Sequence, residues 1–329
     1  MKVNISELEK LALKALKKYG YTDSEAKTIR GLLMYAQLRG NNQGLVKLIG
    51  KGLPKDPQAG TITIERETKL SAILNGNHNP GAVVIRKALE IAVIKAKQHG
   101  FGIVGTNHTH SSTGALGYWA NMIAQQGLIG FVFAGSPETV ATHGSYEPIF
   151  GTNPLAIGVP SEPEPIVLDM ATAAMAYYGL IEAKTAGRSI PPEIAYDHEG
   201  QLTTDPAKAM QGALRPFDKS YKSAGLSLIV EILTGPLVGA SFTGVGDTAK
   251  NWGNLIMAID PEILTEREQF KKNVAVLGAK VKGTKKLPGV TEIYLPGERG
   301  NRLTKKHLDS GQIEIEDNLY HELQKVVAS

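Results

Sequence analysis

The sequence predicts an α/β (mixed α+β) protein, and three observations carry that prediction. Strand-like apolar runs alternate with helical patterns along the chain. A chain of 329 residues that is 42% hydrophobic can build a sizeable core, in two packed domains or one large unit. Finally, Gly151 to Thr172 reads as two apolar strands, each beside a polar cluster. Gly151-Thr152-Asn153-Pro154 precedes the first, and Asp169-Met170-Ala171-Thr172 follows the second and opens a helix. Asp169 then stands as an N-cap, either an ordinary one or part of an anion site at a helix N-terminus.

The elements follow in order. Ser6-x-x-Glu9 has the capping-box pattern, and Leu8, Leu11, Ala12, Ala15 and Leu16 recur at helical spacing before Gly20. Thr22-x-x-Glu25 repeats the signal for a helix through Ile29, Leu32, Leu33 and Ala36. A polar turn, residues 39–44, leads to a short helix from Leu45 to Ile49. Thr61 to Glu65 alternates as a half-buried strand, and Leu70 to Leu74 is a second strand. Gly81 to Gln98 is an Ala-rich helix closed by Gly100; Gly102 to Thr106 is a buried strand, Gly114 to Gln126 a helix, and Leu128 to Ala134 a strand. Ala173 to Gly187 is helical, and Leu226 to Leu233 is helical and buried. Asn254 to Ile259 and Thr291 to Leu295 read as strands, Pro261 to Lys282 contains a charged helix, and Glu316 to Val327 is a final helix.

Composition excludes several classes. The net charge of +4 is too small for a nucleic-acid-scale basic patch. The absence of cysteine removes disulfides, thiolate metal sites, iron–sulfur clusters and a thiol nucleophile. Nothing points to a metal. The N-terminus lacks an apolar signal core and no apolar run is long enough to span a bilayer, so the expectation is a cytoplasmic protein. No Gly-x-Gly-x-x-Gly follows a strand and opens a helix, and neither a Walker A run nor His-Glu-x-x-His is present.

An ordered set of motifs is more specific. Gly151-Thr152-Asn153-Pro154, Val167-Leu168-Asp169-Met170-Ala171-Thr172, Asp197-x-x-Gly200 with Thr203-Thr204-Asp205-Pro206, Tyr221-Lys222 with Gly225-Leu226, and Leu295-Pro296-Gly297-Glu298 cover nearly the full length. In these the chain resembles the type 2 malate/L-lactate dehydrogenase family, which includes ureidoglycolate dehydrogenases, diketogulonate reductases and cyclic imine reductases. The resemblance implies a homodimeric oxidoreductase using NAD or NADP, with a cofactor fold distinct from the doubly wound one. The order of elements along the chain groups residues 1–115 with 255–329 as a helical domain and 116–254 as another, which the resemblance makes the substrate-side and cofactor-binding domains. Carried over, the cofactor residues are Thr152, Asn153, Asp169, Met170, Ala171, Thr172, Lys222, Gly297 and Glu298. Lys222 is suited to a pyrophosphate oxygen; by itself it reads as a surface lysine. Arg299 and Arg302 are the cations available for a 2′-phosphate.

Two departures bear on the chemistry. The family carries a Ser-His-Gly-x-x-Arg turn, in which the resemblance assigns proton exchange to the His and the substrate carboxylate to the Arg. Here the run is Asn42-Gln43-Gly44-Leu45-Val46-Lys47. Gln43 can polarise a carbonyl but cannot deliver a proton, and Lys47 can pair with a carboxylate only as a point charge. The second departure puts Ser112 where another family His is expected, with His108 and His110 just upstream. Either can supply a titrating imidazole or be a plain loop residue. Asp197, implicated near the reacting centre in the imine-reductase branch, reads equally as a turn residue before Gly200, and His143 as a pocket or an exposed loop residue.

The expected function is hydride transfer between a nicotinamide and a small 2-oxo or 2-hydroxy acid, or a cyclic 2-imino acid. Gln43, Lys47, His110 and Asp197 are the candidate catalytic residues, and Asn42, Gln43, Lys47 and His143 the candidate substrate-binding ones. The alternatives are a paralogue that binds the dinucleotide without turnover, and shifted chemistry on a neutral substrate.

Overall fold

The chain opens with a short strand, β1 (Lys2–Asn4), and helix α1 (Ile5–Lys18), in a computed structural model that describes residues 1–328. Leu8, Ala12, Ala15 and Leu16 form the buried stripe of α1. The Ser6-x-x-Glu9 box is not used. The helix begins before Ser6, and the Ile5 N–H is satisfied by the Gly311 carbonyl at 3.0 Å. The Thr22–Glu25 box does form: the Thr22 N–H donates to Glu25 at 2.9 Å and Thr22 caps the Glu25 N–H, stabilising α2 (Asp23–Leu38) by about 1 kcal/mol.

A 3-10 turn (Leu45–Leu48) leads to β2 (Thr63–Glu67), β3 (Ser71–Asn75), α3 (Gly81–His99) and β4 (Phe101–Thr109). Gly100 closes α3 in the left-handed conformation, φ +82°. Then come α4 (Leu116–Ala124), β5 (Ile129–Ala134), β6 (Val140–Ala141), β7 (Pro148–Phe150), β8 (Leu155–Val159), β9 (Ile166–Met170) and α5 (Tyr177–Thr185). The remainder comprises β10 (Ala195–Tyr196), α6 (Pro206–Ala209), β11 (Ala213–Leu214), α7 (Tyr221–Thr234), β12 (Trp252–Ile259), α8 (Arg267–Lys282), α9 (Glu298–Ser310), β13 (Gln312–Glu314) and α10 (Asp317–Ala328).

Seven strands form the main sheet in the order β2-β3-β4-β12-β5-β8-β9, with only β3 and β4 parallel. Side-chain alternation gives the sheet two buried faces. Val104, Ile256 and Val132 join the large core under α3 and α4, whereas Leu255 and its neighbours Ile103 and Phe133 pack on the α7 side. The two ends of the chain meet: Val3 pairs with Ile313, and α1 packs on α10. A second core, holding Val140, Leu180, Ile190 and Leu214, lies beneath the small sheet β10-β11-β6-β7 and α5.

Several expectations fail for identifiable reasons. Asp169 does not open a helix. It lies inside β9, and the following helix starts only at Tyr177, because Ala173 bridges to Pro216 and holds the chain extended. Thr291 to Leu295 pairs with no strand and precedes α9, whose capping glycine is Gly297. The first sheet strand sits at an edge with all five residues exposed, so its alternation reports no buried face. Helix α7 buries its small residues and exposes Leu228, Ile229 and Ile232. Conversely, the apolar face of α3 packs on the chain's own sheet.

Candidate functional site

The 3-10 turn holding Lys47 is pinned from both ends. Leu45 and Leu48 are fully buried, the Leu45 N–H donates to Gln37 Oε1 at 3.0 Å, and the Tyr19 hydroxyl donates to the Leu48 carbonyl at 2.7 Å. Lys47 between them is only 3% exposed. Its ammonium donates to Ser112 Oγ and stands 4.2 Å from the centre of the Tyr178 ring. Among the described residues no carboxylate pairs with it. Burial pushes the Lys47 amine down from 10.5 to about 7. A cavity of about 10 Å³ beside it, lined by Ser111, Ser112 and Pro80, holds at most one water.

Asn42 and Gln43 lie on the approach to this turn. Gln43 donates from its side chain to Asn42 Oδ1 at 3.3 Å, and Asn42 Nδ2 comes within 3.3 Å of a β-carbon built at Gly179 on α5. The structure thus gathers Asn42, Gln43, Lys47 and Ser112 around the first turn of α5. Tyr178 is the member that sequence reasoning missed; the strand–helix reading of residues 166–187 gave no reason to single out one aromatic.

His110 is beside Ser111 but turned elsewhere. Its Nδ1 and that of His78 each lie 3.8 Å from the same Asp56 oxygen. His108 takes a left-handed φ of +47° and places Nδ1 2.8 Å from Asn107 Oδ1. Asp197 spends its carboxylate on its own turn, accepting the N–H groups of Gln201 at 2.9 Å and Glu199 at 3.0 Å, which hold it below the usual carboxylate range. His143 is exposed between β6 and β7.

The candidate cofactor residues form a second, connected group. The Thr152 carbonyl accepts from Thr172 twice, through the N–H at 3.0 Å and the hydroxyl at 3.1 Å. The Thr172 carbonyl accepts the Phe217 N–H at 2.9 Å, which brings the end of β9 beside the turn that starts α7. Asn153, fully buried at φ +38°, donates to the Ser227 carbonyl at 3.1 Å and to Glu231 at 2.7 Å. Met170 and Ala171 are half-buried between Asp169 and Thr172. Lys222 is exposed in the first turn of α7, and among the described residues its ammonium has no carboxylate partner.

Asp169 faces a different helix from the one expected. Its carboxylate accepts the N–H of Gly117, in the first turn of α4, at 2.8 Å. A side chain on Gly117 would collide with that carboxylate, its β-carbon falling 2.9 Å from Oδ2. Burial raises the Asp169 carboxyl to about 6, against the lowering by the Gly117 N–H and Arg39. The residue remains open to solvent on one side, which screens this shift. Further along β9, Val167 donates to the Pro296 carbonyl at 3.2 Å, and Gly297 takes φ +86° where a β-carbon would sit 3.0 Å from the Val167 carbonyl. Glu298 folds back, accepting the Leu295 N–H at 3.0 Å and pairing with Lys282 and Arg302. Arg302 is also held by Glu292, so of the two late arginines only Arg299 is exposed and without an ion pair.

Two segments join the groups: residues 112–117 run from Lys47 to Asp169, and residues 172–178 from Thr152 to Tyr178. A cleft of about 770 Å³ lies apart, against the β8–β9 turn and α9. Its Arg39 already donates to Thr304 and Asn301, and Asn301 to Glu164, so it offers less unmet charge than the Lys47 pocket.

The chain is 41% identical to an L-sulfolactate dehydrogenase of Methanothermobacter thermautotrophicus over 266 residues, 79% of this chain and 75% of that one. It is 35% identical to a malate/(S)-sulfolactate dehydrogenase of Methanothermus fervidus, covering 99% and 97% of the two chains. It is 33% identical to a Delta(1)-pyrroline-2-carboxylate reductase of Burkholderia ambifaria over 79% and 80%. The crystal structure of malate dehydrogenase from Entamoeba histolytica superposes with a TM-score of 0.90 at 26% identity, covering 100% of this chain and 97% of that one. With residues 3–324 matching the family described as malate/L-lactate dehydrogenase, the chain belongs to that family of oxidoreductases.

Proposed function

We propose that this protein transfers hydride between NAD or NADP and a small 2-oxo or 2-hydroxy acid, or reduces a cyclic 2-imino acid. The observation that carries this reading is Lys47, a buried amine whose partners are a hydroxyl and an aromatic face. Its ammonium form calls for an anion, and a substrate carboxylate supplies one. Asn42 and Gln43 then polarise the C2 substituent. His110, whose Nδ1 lies 3.8 Å from Asp56, is the imidazole two residues from Ser112. Asp197, spent on its own turn, and His143, exposed between β6 and β7, carry no step in this reading.

The bound nicotinamide supplies or accepts the hydride; the protein contributes orientation and charge. The residues present fit a dinucleotide. Lys222 is an unpaired cation in the first turn of a long helix, next to the Thr152–Thr172–Phe217 backbone junction. Asn153, Asp169 and Glu298 support that binding by fixing the backbone through their hydrogen bonds, while Met170, Ala171 and Gly297 lie on the adjoining end of β9 and the turn before α9. Residues 116–254 form the cofactor side and residues 1–115 with 255–329 the substrate side. The exposed Leu228, Ile229 and Ile232 of α7 and Val276 and Leu277 of α8 support a homodimer; a monomeric mass by light scattering at micromolar concentration refutes that part.

An imine substrate needs less from the protein, because an iminium arrives already protonated. The test is the absorbance of NADH and NADPH with purified protein and matched 2-oxo acids and cyclic imino acids. Turnover of either class supports the reading, and turnover of imines alone selects the imine version. A second reading, dinucleotide binding without turnover, draws on Gln43 and Ser112 standing at positions the family fills with His. Tight cofactor binding with no turnover across both panels selects it.

A further inference from the structure

Lys47 makes an unusual anion receptor, and the way it differs has a measurable consequence. Its amine is buried, its nearest polar partner is the Ser112 hydroxyl, and the Tyr178 face covers it at 4.2 Å. A hydroxyl can accept from an ammonium or donate to a free amine with equal ease, so this setting does not require the charged form. The facing titratable groups are Tyr178 from α5 and Tyr21, which lines the adjoining cavity; burial raises both phenols, so they remain neutral through the physiological range. The nearest imidazoles, His110 and His78, face Asp56 instead. In the empty site no fixed negative charge holds the proton on Lys47.

We propose that the site captures its acid substrate together with a proton: the buried Lys47 amine, set between the Ser112 hydroxyl and the Tyr178 face with no carboxylate beside it among the described residues, is discharged in the empty pocket and becomes an ammonium as the carboxylate docks. This rests on the proposed reading of Lys47 as the acid-group receptor. The balance is simple. The carboxylate enters as an anion, one proton comes from solvent to Nζ, and the neutral pocket ends as an ion pair. Burial lowering the free amine to about 7 sets where the coupling begins. An arginine at this position stays charged at all relevant pH and binds without proton uptake. Lysine at this position therefore makes acid binding pH-dependent by itself, with affinity falling about tenfold per pH unit once the free amine is discharged.

The test is calorimetric titration of the protein, with saturating reduced nicotinamide, by oxamate, a non-reducible 2-oxo acid mimic. Paired runs in phosphate and Tris buffers, whose ionisation heats differ, report the protons exchanged. The expected result is uptake of about one proton per oxamate near pH 8.5 and of almost none near pH 5.5. Lys47→Arg is expected to bind with no uptake at either pH, and His110→Gln to keep the uptake. Oxamate binding near pH 8.5 without proton uptake overturns the inference while leaving the acid-receptor reading intact. Uptake that survives in Lys47→Arg but vanishes in His110→Gln assigns the proton to His110 and overturns it as well. Failure of oxamate to bind near pH 5.5, where Lys47 is charged, refutes the receptor reading and the inference with it.

Discussion

The surroundings of Asn153 and of Lys47 are made of the same material, buried polar side chains, arranged to opposite ends. Asn153 uses both amide hydrogens, on the Ser227 carbonyl and on Glu231, and so ties β8 to α7. Glu231 is in turn capped by the Thr243 N–H, although burial still raises its carboxyl. Around Lys47 the turn is equally well pinned, but the charge at its centre has no counter-charge. Although its Oδ1 is buried without a partner, Asn153 is framework through those two donated bonds, and removing it weakens the fold. A buried charge left unmatched weakens the fold while present, and its persistence points to a ligand.

Exchanging each residue for an apolar one separates the two roles. Lys47→Met is expected to lower kcat/KM on 2-oxo acids by about a thousandfold, roughly 4 kcal/mol, the size of losing one partner of a buried ion pair. Its stability is expected to rise near neutral pH. The sign follows from proton counting: between about 7 and 10.5 the unfolded lysine holds a proton that the folded one has released, so wild-type stability climbs with pH through that window. Urea midpoints taken from pH 7 upward should show that climb in the wild type and not in Lys47→Met. Asn153→Ala is expected to do the reverse, losing about 3 kcal/mol of stability because Glu231 and the Ser227 carbonyl lose their donor. If both variants unfold at the same urea concentration, the distinction between frame and receptor is wrong.

Local signals were legible where they depend on neighbours in sequence. The Thr22–Glu25 box, the Gly100 cap and the turn at Asp197 all behave as their residue types dictate. The motif segments also meet in the fold: Thr152, Thr172 and the turn before α7 come together. What sequence did not show is which partner each polar residue finds across the fold. Asp169 was legible as a capping residue, but the helix it serves is 52 positions upstream in the chain and reaches it only because β9 lies at the sheet edge beside α4. Tyr178 over Lys47 is likewise a meeting of two cores, with no trace in local periodicity.

Asp169 offers the finest test, because it combines both behaviours in one residue. Its carboxylate has a partner, the Gly117 N–H, yet burial still raises its pKa to about 6. Between about pH 4 and pH 6 the folded protein keeps a proton that the unfolded chain has released, so the residue makes stability fall as pH rises across that interval. The full shift corresponds to nearly 3 kcal/mol, but one side of the residue meets solvent, and screening reduces the expected effect to about 1 kcal/mol. Asp169→Asn keeps an oxygen for the Gly117 N–H and removes the charge. Its stability at neutral pH is therefore expected to match or exceed the wild type by about 1 kcal/mol, with a flatter pH profile below pH 6. The same variant sharpens the cofactor side of the comparison. If Asp169 only anchors α4, NADH affinity measured by fluorescence changes less than about threefold. A larger loss, at unchanged stability, makes the carboxylate a ligand as well as an anchor.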